Sequence, residues 1–559
     1  MAGQEQAPHR EAAPAPARRW WLHDRRLAYG IEILAVLPAL VMALEVAAAP
    51  KLQQLDYWAV LLRIVNPDGT FDWGGVWSLH NEHPLIVPSF FYWVDARYFD
   101  GDNRILGYLT VVIAAATVLL LRFALPRMLP DVLRAGLVVA TSALVFSLHG
   151  THNFALGMSG AAWLTANLFV IIALIFAMKR QWWVAWAAGL VACLSYGTGF
   201  AVWPALLLIG FMVRERWWIR ITTVVLGIVV VAEWLRMRPD FVPDKSQEAD
   251  IGNLVHAFIT LVGHLWTGRS ADLAAIAGAL VLAGLVAMLT VPFARTRRLW
   301  FWWALALYGV LASGMIALAR EDFGNDVGLA SRYTSLSVLT SLPLLVIVVT
   351  VAFRKWPRSW SRFTIAVVTV GLLGFTLGAP TVTVVRSGTE DTPLKAIALR
   401  AQLDDRFWPG FPPTRRIASR LKALGHYPFN DDFTLGCGGP ELGDRLDMDE
   451  MRPMTKPEED QERPTAAIDD AQFHGNSVLL RGWAVGGRSK VTCVLVVDAD
   501  GKVTGGGQYH LPRPDVENLL GWGPRDPGFT AIGKGDPEGR VVFLLDDGWQ
   551  FWLPLPVRE

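Results

Sequence analysis

Apolar residues in this chain come in long unbroken runs rather than in alternation. Residues 29–49, 105–124, 135–149, 161–178, 182–213, 219–235, 272–294, 299–318, 333–353 and 363–385 are nearly free of charge. A membrane-crossing helix needs about 20 such residues. The pattern therefore predicts an α-helical polytopic membrane protein. The 182–213 run is too long for one crossing, and Ser195-Tyr196-Gly197-Thr198-Gly199 interrupts it. Its glycines suit a tight turn, so the run divides into two short helices and the total becomes about eleven spans. The 135–149 run is short and is expected to extend into its flanks.

Beyond residue 467 the period changes. SVLLRGWAV, KVTCVLVVDADGKVTGGG and RVVFLLDDGWQFWLP read as strands joined by Asp-Gly and Gly-rich turns. They predict a C-terminal β-sandwich-like domain. Four regions follow: a tail at 1–27, a transmembrane domain at 28–385, a connecting region at 386–466 and the β-domain at 467–559. Residues 1–18 are rich in Ala, Pro and Arg and read as unstructured. Thr414–Gly425 has a helical pattern ended by glycine, and 451–466 reads as a charged linker.

Composition strengthens the membrane reading. Hydrophobic residues make up 53% of the 559 residues and charged residues only 18%, with a mean hydropathy of +0.33. Disorder is ruled out, and a single soluble domain does not fit. The net charge of +1 offers no basic balance for nucleic acid. Three cysteines cannot make a disulfide framework. Cys437 and Cys493 both fall in the tail, where one bridge could persist on an oxidising side, and Cys193 falls in a span.

Charge at the ends of the runs gives an orientation. Arg18, Arg19, Arg25 and Arg26 precede the first run. Alternate connections then hold Arg122, Arg127 and Arg134; Lys179 and Arg180; Arg214, Arg216 and Arg220; Arg295, Arg297 and Arg298; Arg354, Lys355, Arg358 and Arg362. The positive-inside rule puts the N-terminus in the cytoplasm and, after eleven spans, the C-terminal domain outside. Trp20, Trp21, Trp182, Trp183, Trp217, Trp218, Trp300, Trp302 and Trp303 stand where an inner interfacial belt would be. Ala47-Ala48-Ala49 resembles a cleavage site, but the run before it is long and Pro50 would follow the cut, so the run reads as a retained span.

Two outer loops, 50–104 and 236–271, are long enough to carry function. In the first, His80-Asn81-Glu82-His83 places four polar side chains in a row among aromatic and apolar neighbours. A carboxylate between imidazoles can act as a general base toward a hydroxyl. The alternatives are that the cluster caps a short interfacial helix, or holds a metal at a spacing that is neither CxxC nor HExxH. No metal and no cofactor are assigned. Arg320-Glu321-Asp322-Phe323-Gly324-Asn325 and Ser331-Arg332-Tyr333 put two arginines on the outer side, against the charge trend. Arginine can clamp phosphate in a bidentate way; the alternative is pairing of Arg320 with Glu321 or Asp322. His149-Gly150-Thr151-His152-Asn153-Phe154, ending in Gly157 and Trp163, and Ser195–Gly199 with Trp203, also fall on the outer side. Together these clusters suit a cavity open to the outside, although His149 and His152 could simply sit at the interface. Glu32, Glu45 and Glu233 lie near span ends and receive no role.

With these residues in hand, the chain resembles a polytopic glycosyltransferase of the GT-C superfamily. The resemblance covers residues 28–385: a cytoplasmic N-terminus, a long acidic first outer loop, many spans and an outer C-terminal domain. The chain is also similar to bacterial membrane proteins with an Asn-Glu-His-Arg motif after a Trp-rich loop and a later Ser-Arg-Tyr motif. Here these are Asn81-Glu82-His83-Pro84, with proline in the fourth place, and Ser331-Arg332-Tyr333. The resemblance implies transfer of a sugar from a polyprenyl-phosphate donor to a cell-envelope glycan or glycoconjugate, at the outer face of a bacterial inner membrane. Arabinofuranose is one sugar it allows. It implies a carboxylate base in the first outer loop, Glu82 first and Asp72 second. His80, Asn81, His83, His152, Arg320, Arg332 and Tyr333 are the substrate-binding candidates. Arg481-Gly482-Trp483-Ala484, Arg513-Pro514-Asp515-Val516 and Gly528-Phe529 resemble a β-domain appended to glycan-processing proteins. Trp483, Trp522, Trp549 and Trp552 could stack on sugar faces there or pack in its core.

Two other classes remain open. A transporter or flippase of lipid-linked glycan would explain the spans and the outer arginines, and predicts inverted repeats with broken helices at mid-membrane. No such repeat is visible in the sequence. A non-catalytic scaffold with a glycan-binding β-domain would leave the His-Asn-Glu-His cluster without a purpose.

Overall fold

The computed structural model describes residues 25–237, 250–320, 328–404, 406–408, 412, 414–448, 452–453, 464–520 and 524–557. Trp20, Trp21, Glu321, Asp322, Phe323, Gly324, Asn325 and Trp522 lie outside the described residues.

Among the described residues, nine helices are long and apolar enough to cross a membrane. The apolar runs dictate them: 105–124 becomes Asn103–Ala124 and 161–178 becomes Gly157–Met178. The short 135–149 run does extend backward, starting at Asp131. The 182–213 run splits as expected, into Trp182–Ser195 and a helical stretch from Gly197 to Met212, because Tyr196 is extended. A further short helix, Ile251–Gly263, lies inside what the sequence suggests is an outer loop.

The first run is not one helix. Arg25–Ile33 and Val36–Ala48 are separated at Leu34 and Ala35. Pro38 lacks the N–H that would bond the carbonyl of Leu34, and its ring crowds that carbonyl. The chain closes the gap with tighter bonds, Leu34 N to Ile31 O and Leu37 N to Leu34 O.

Outward faces of several long helices are apolar. On Trp217–Met237, Ile221, Val225 and Ile228 are exposed. On Ala271–Leu289, Leu273, Ile276 and Leu280 are exposed as well. Hydrocarbon stabilises such a surface and water does not. The interfacial tryptophans divide: Trp183 and Trp217 face outward, whereas Trp182, Trp302 and Trp303 are buried in the bundle. Successive residues on a helix point about 100° apart, which splits the Trp182–Trp183 pair between the bundle and its outer surface. Glu32 and Glu45 have specific partners. Arg122 donates to Glu32 at 3.0 and 2.8 Å, and Arg386 donates to both oxygens of Glu45.

One end of the bundle carries a second layer. The helix Tyr57–Ile64 packs its Tyr57, Trp58, Leu61 and Ile64 against Ile417, Leu421 and Leu424 of the helix Thr414–Leu424. Arg420 donates to Val65 O at 2.8 Å, and Lys51 pairs with Asp432 at 2.7 Å. The 49–102 segment and the connecting region thus share one core, which fixes where Tyr57–Ile64 begins.

The C-terminal strands form one sheet, not the two stacked sheets of a sandwich. They are β1 (Arg452–Pro453), β2 (Thr465–His474), β3 (Ser477–Val485), β4 (Val491–Val497), β5 (Val503–Leu511), β6 (Gly528–Lys534), β7 (Arg540–Leu545) and β8 (Gln550–Pro554). Their order is β1-β8-β7-β4-β5-β6-β3-β2, antiparallel except for β1 on β8, and the sheet curls into a half-barrel. One face packs on itself through Val494, Phe529, Phe543 and Phe551. The other buries Cys493, Leu495 and Val497 against Leu435, Leu446 and Trp552. Both faces are therefore covered, which explains the continuous apolar run of β4. A disulfide joins Cys437 to Cys493 across that second face. Trp549 is exposed at the sheet margin.

Candidate functional site

The polar clusters of the sequence meet at the end of the bundle that carries the second layer. Residues His80 to His83 form a tight turn, closed by His80 N to His83 O at 3.0 Å and His83 N to His80 O at 2.9 Å. Asn81 takes a positive φ of 52° to allow it. The turn sends His80 and His83 to the same pocket.

His83 stacks on Tyr196 with centroids 4.1 Å apart, Tyr196 lies 4.0 Å from Trp163, and Trp163 meets Tyr333 edge-on. This aromatic floor brings together the first outer loop, the Ser195–Gly199 break and the Ser-Arg-Tyr motif. Gly197 is required here: a Cβ on it would lie 2.9 Å from His83 Nδ1. The Ser-Arg-Tyr turn is pinned in turn. Ser331 Oγ donates to His149 O, His152 N donates to Ser331 Oγ, and Asn153 Nδ2 donates to Arg332 O at 3.0 Å. Arg332 sits over the Tyr333 ring at 5.2 Å.

The residue that the sequence does not flag is Asp56. It stands at the N-terminus of Tyr57–Ile64, where an Asp side chain usually caps the helix. Here it makes no capping bond. Its carboxylate faces His80 Nε2 at 3.6 Å. The His80 contact holds its pKa below the ordinary carboxylate value, partial desolvation opposes this, and the Arg332 and Arg320 charges add to it; the side chain is 61% exposed, so water screens these effects. Leu55, just before it, has a positive φ of 53°. Left-handed backbone at non-glycine residues is costly and gathers at functional sites.

Asp56, His80, Asn81, His83, His152, Arg320 and Arg332 line one polar pocket of about 70 Å³. His83 is neutral, its pKa pushed down to about 3 by burial first and by Arg320 second. Its Nδ1 is buried without a hydrogen-bond partner in the structure.

On the other side of His83 lies an apolar groove of about 940 Å³. It runs along Trp234, Phe258, Val310, Met315 and Leu318, and its polar end is formed by His83 and Glu82. Trp234 Nε1 donates to Glu82 O at 2.8 Å. Of the two carboxylates chosen from sequence, Glu82 therefore borders the groove rather than the polar pocket. Asp72 borders neither cavity: its Oδ1 accepts from Gly74 N and Gly75 N, both at 2.9 Å, and so holds its own loop. Among the described residues, no group of three His, Cys, Asp or Glu side chains is placed to hold a metal ion.

Chemically, the site joins an ionised carboxylate, two guanidinium groups and a neutral imidazole at the mouth of an apolar groove. That suits an amphiphile with an anionic headgroup, set beside a base. No family model, no curated protein and no solved structure matches this chain.

Proposed function

We propose that the protein is a membrane glycosyltransferase that moves a sugar from a polyprenyl-phosphate donor to a cell-envelope glycan or glycoconjugate. One observation carries this reading: the large apolar groove and the Asp56–Arg320–Arg332 pocket share His83 as a common wall. The groove takes the polyprenyl tail and the arginines take the phosphate. The helices cross a bacterial inner membrane with the N-terminus in the cytoplasm, and the β-sheet lies outside. The positive-inside asymmetry supports that orientation, as does a disulfide in the outer unit.

In the reaction, the acceptor hydroxyl oxygen bonds to the anomeric carbon. Its proton passes to Asp56. The bond from that carbon to the donor phosphate breaks, and its electron pair leaves on the phosphate oxygen, facing Arg320 and Arg332. Asp56 is the base in this reading. Glu82 helps orient the donor beside His83. His80 keeps Asp56 ionised and aimed.

The test is direct. Purified protein in liposomes receives a polyprenyl-phosphate sugar and an envelope glycan acceptor. Transfer that depends on the protein is the expected result, and Arg320→Gln should weaken donor binding about tenfold or more. Absence of transfer across a panel of lipid-phosphate sugars, with donor binding also absent, would overturn the proposal.

A further inference from the structure

A second cavity, about 590 Å³, adjoins the first and shares Leu55, His152 and Arg332 with it. It lies between residues 268–269, 329–332 and the stretch from Leu377 to Lys395. Its polar wall is cationic: Arg269, Arg332 and Lys395 line it, with His149 and His152. Among the described residues that line it there is no carboxylate. Arg269 is exposed and makes no ion pair among the described residues, whereas Lys395 pairs with Asp391 at 2.8 Å. His149 is 1% exposed, yet neither of its ring nitrogens has a hydrogen-bond partner in the structure. Buried polar groups are usually hydrogen-bonded, so this ring on the cavity wall has donor and acceptor capacity to offer a ligand. The lining also includes the aliphatic side chains of Leu329, Leu377, Val384 and Val385.

We infer that this second cavity binds the acceptor as a phosphate-bearing amphiphile, its headgroup against Arg269, Lys395 and His149 and its chain along Leu377 and Val384. The inference rests on the transferase reading in calling this ligand the acceptor; the site itself stands on its own residues. Donor and acceptor then occupy adjoining cavities that share Leu55, His152 and Arg332, with Asp56 on the side of the smaller one.

The test counts ligands. The full chain in nanodiscs is titrated with n-dodecyl phosphate, with n-dodecanol and inorganic phosphate as separate arms, and bound copies are counted by native mass spectrometry. Wild type should bind two copies of dodecyl phosphate and none of dodecanol. The double variant Arg269→Gln, Lys395→Gln should lose one copy, its affinity falling roughly tenfold or more. Arg320→Gln should lose the other. Two copies bound unchanged by the double variant would overturn the inference. If the double variant loses a copy while Arg320→Gln keeps both, the second site stands and the donor reading fails. Displacement by inorganic phosphate as strong as by dodecyl phosphate would overturn the amphiphile and leave a free-anion site. Should the double variant melt early, Arg269→Gln alone leaves the Lys395–Asp391 pair intact. Its affinity must still drop several-fold, and an unchanged value overturns the inference.

Discussion

The end of the helical bundle and the C-terminal sheet treat buried polar groups in opposite ways. In the sheet unit, among the described residues, only Thr465 Oγ1 and Gln550 Oε1 are buried without a hydrogen-bond partner. Its charges are spent locally, as where Arg513 bridges Asp469 and Asp515. Around the two polar cavities, the buried atoms without a partner include His83 Nδ1, both nitrogens of His149 and His152 Nδ1. Unsatisfied buried polar atoms cost stability. On the proposed reading, a ligand would supply the partners that the atoms facing the cavities lack.

The largest expected effect breaks the sheet side of this contrast. Phe543 is fully buried, with Phe529 at 5.1 Å and Phe551 at 4.9 Å. Phe543→Ala should cost about 3–5 kcal/mol, read as an early melting transition of the full chain, while the donor affinity of the folded fraction is unchanged. An unaltered melt would mean that the sheet contributes little to stability.

A smaller effect separates a structural carboxylate from a chemical one. Asp72→Ala removes two loop hydrogen bonds and should cost about 0.5–2 kcal/mol, by analogy with lost helix caps. Transfer should stay near the wild-type rate. A collapse of transfer in a protein that still folds would return Asp72 to the reaction.

The smallest effect concerns pH. Asp56 is held below its ordinary value, so its charged form, and the stability it lends, are complete above about pH 4 and lost only as pH falls through its lower folded value. His83, pushed down to about 3, stays neutral above that pH in the folded chain. Neither group should bend the transfer profile between about pH 5 and 8. His80→Asn removes the leading cause of the low Asp56 value, so the acid limb should move to higher pH. A limb that does not move would belong to some other group.

How much of this was legible follows from the kind of signal each part leaves. The spans are written as apolar runs, and even the break at Ser195–Gly199 shows through its glycines. The polar clusters His80–His83, His149–Asn153 and Ser331–Tyr333 could be seen to share one side, and most of them line the two polar cavities. Asp56 left no such mark. It is one acidic residue before an apolar helix, and its meaning comes from a contact with His80 across the fold. The clue available was an Asp at a helix start in an outer loop. The half-barrel was misread for a related reason. The continuous apolar run of β4 says that both faces are covered but not by what; Leu435 and Leu446 supply the cover from distant sequence, and the helix Thr392–Arg400 does the same over Leu479 and Ile532.

The central claim is that Asp56, in the pocket with Arg320 and Arg332, takes the acceptor proton. It is tested most directly by measuring sugar transfer for Asp56→Asn and Glu82→Gln side by side, in liposomes, with donor binding as the control for folding. Asp56→Asn should keep donor affinity and lose transfer by about 10²–10⁴-fold, while Glu82→Gln should be milder and act mainly through donor binding. Near-normal transfer by Asp56→Asn, together with loss of transfer in Glu82→Gln at full donor affinity, would contradict the account and move the base to Glu82.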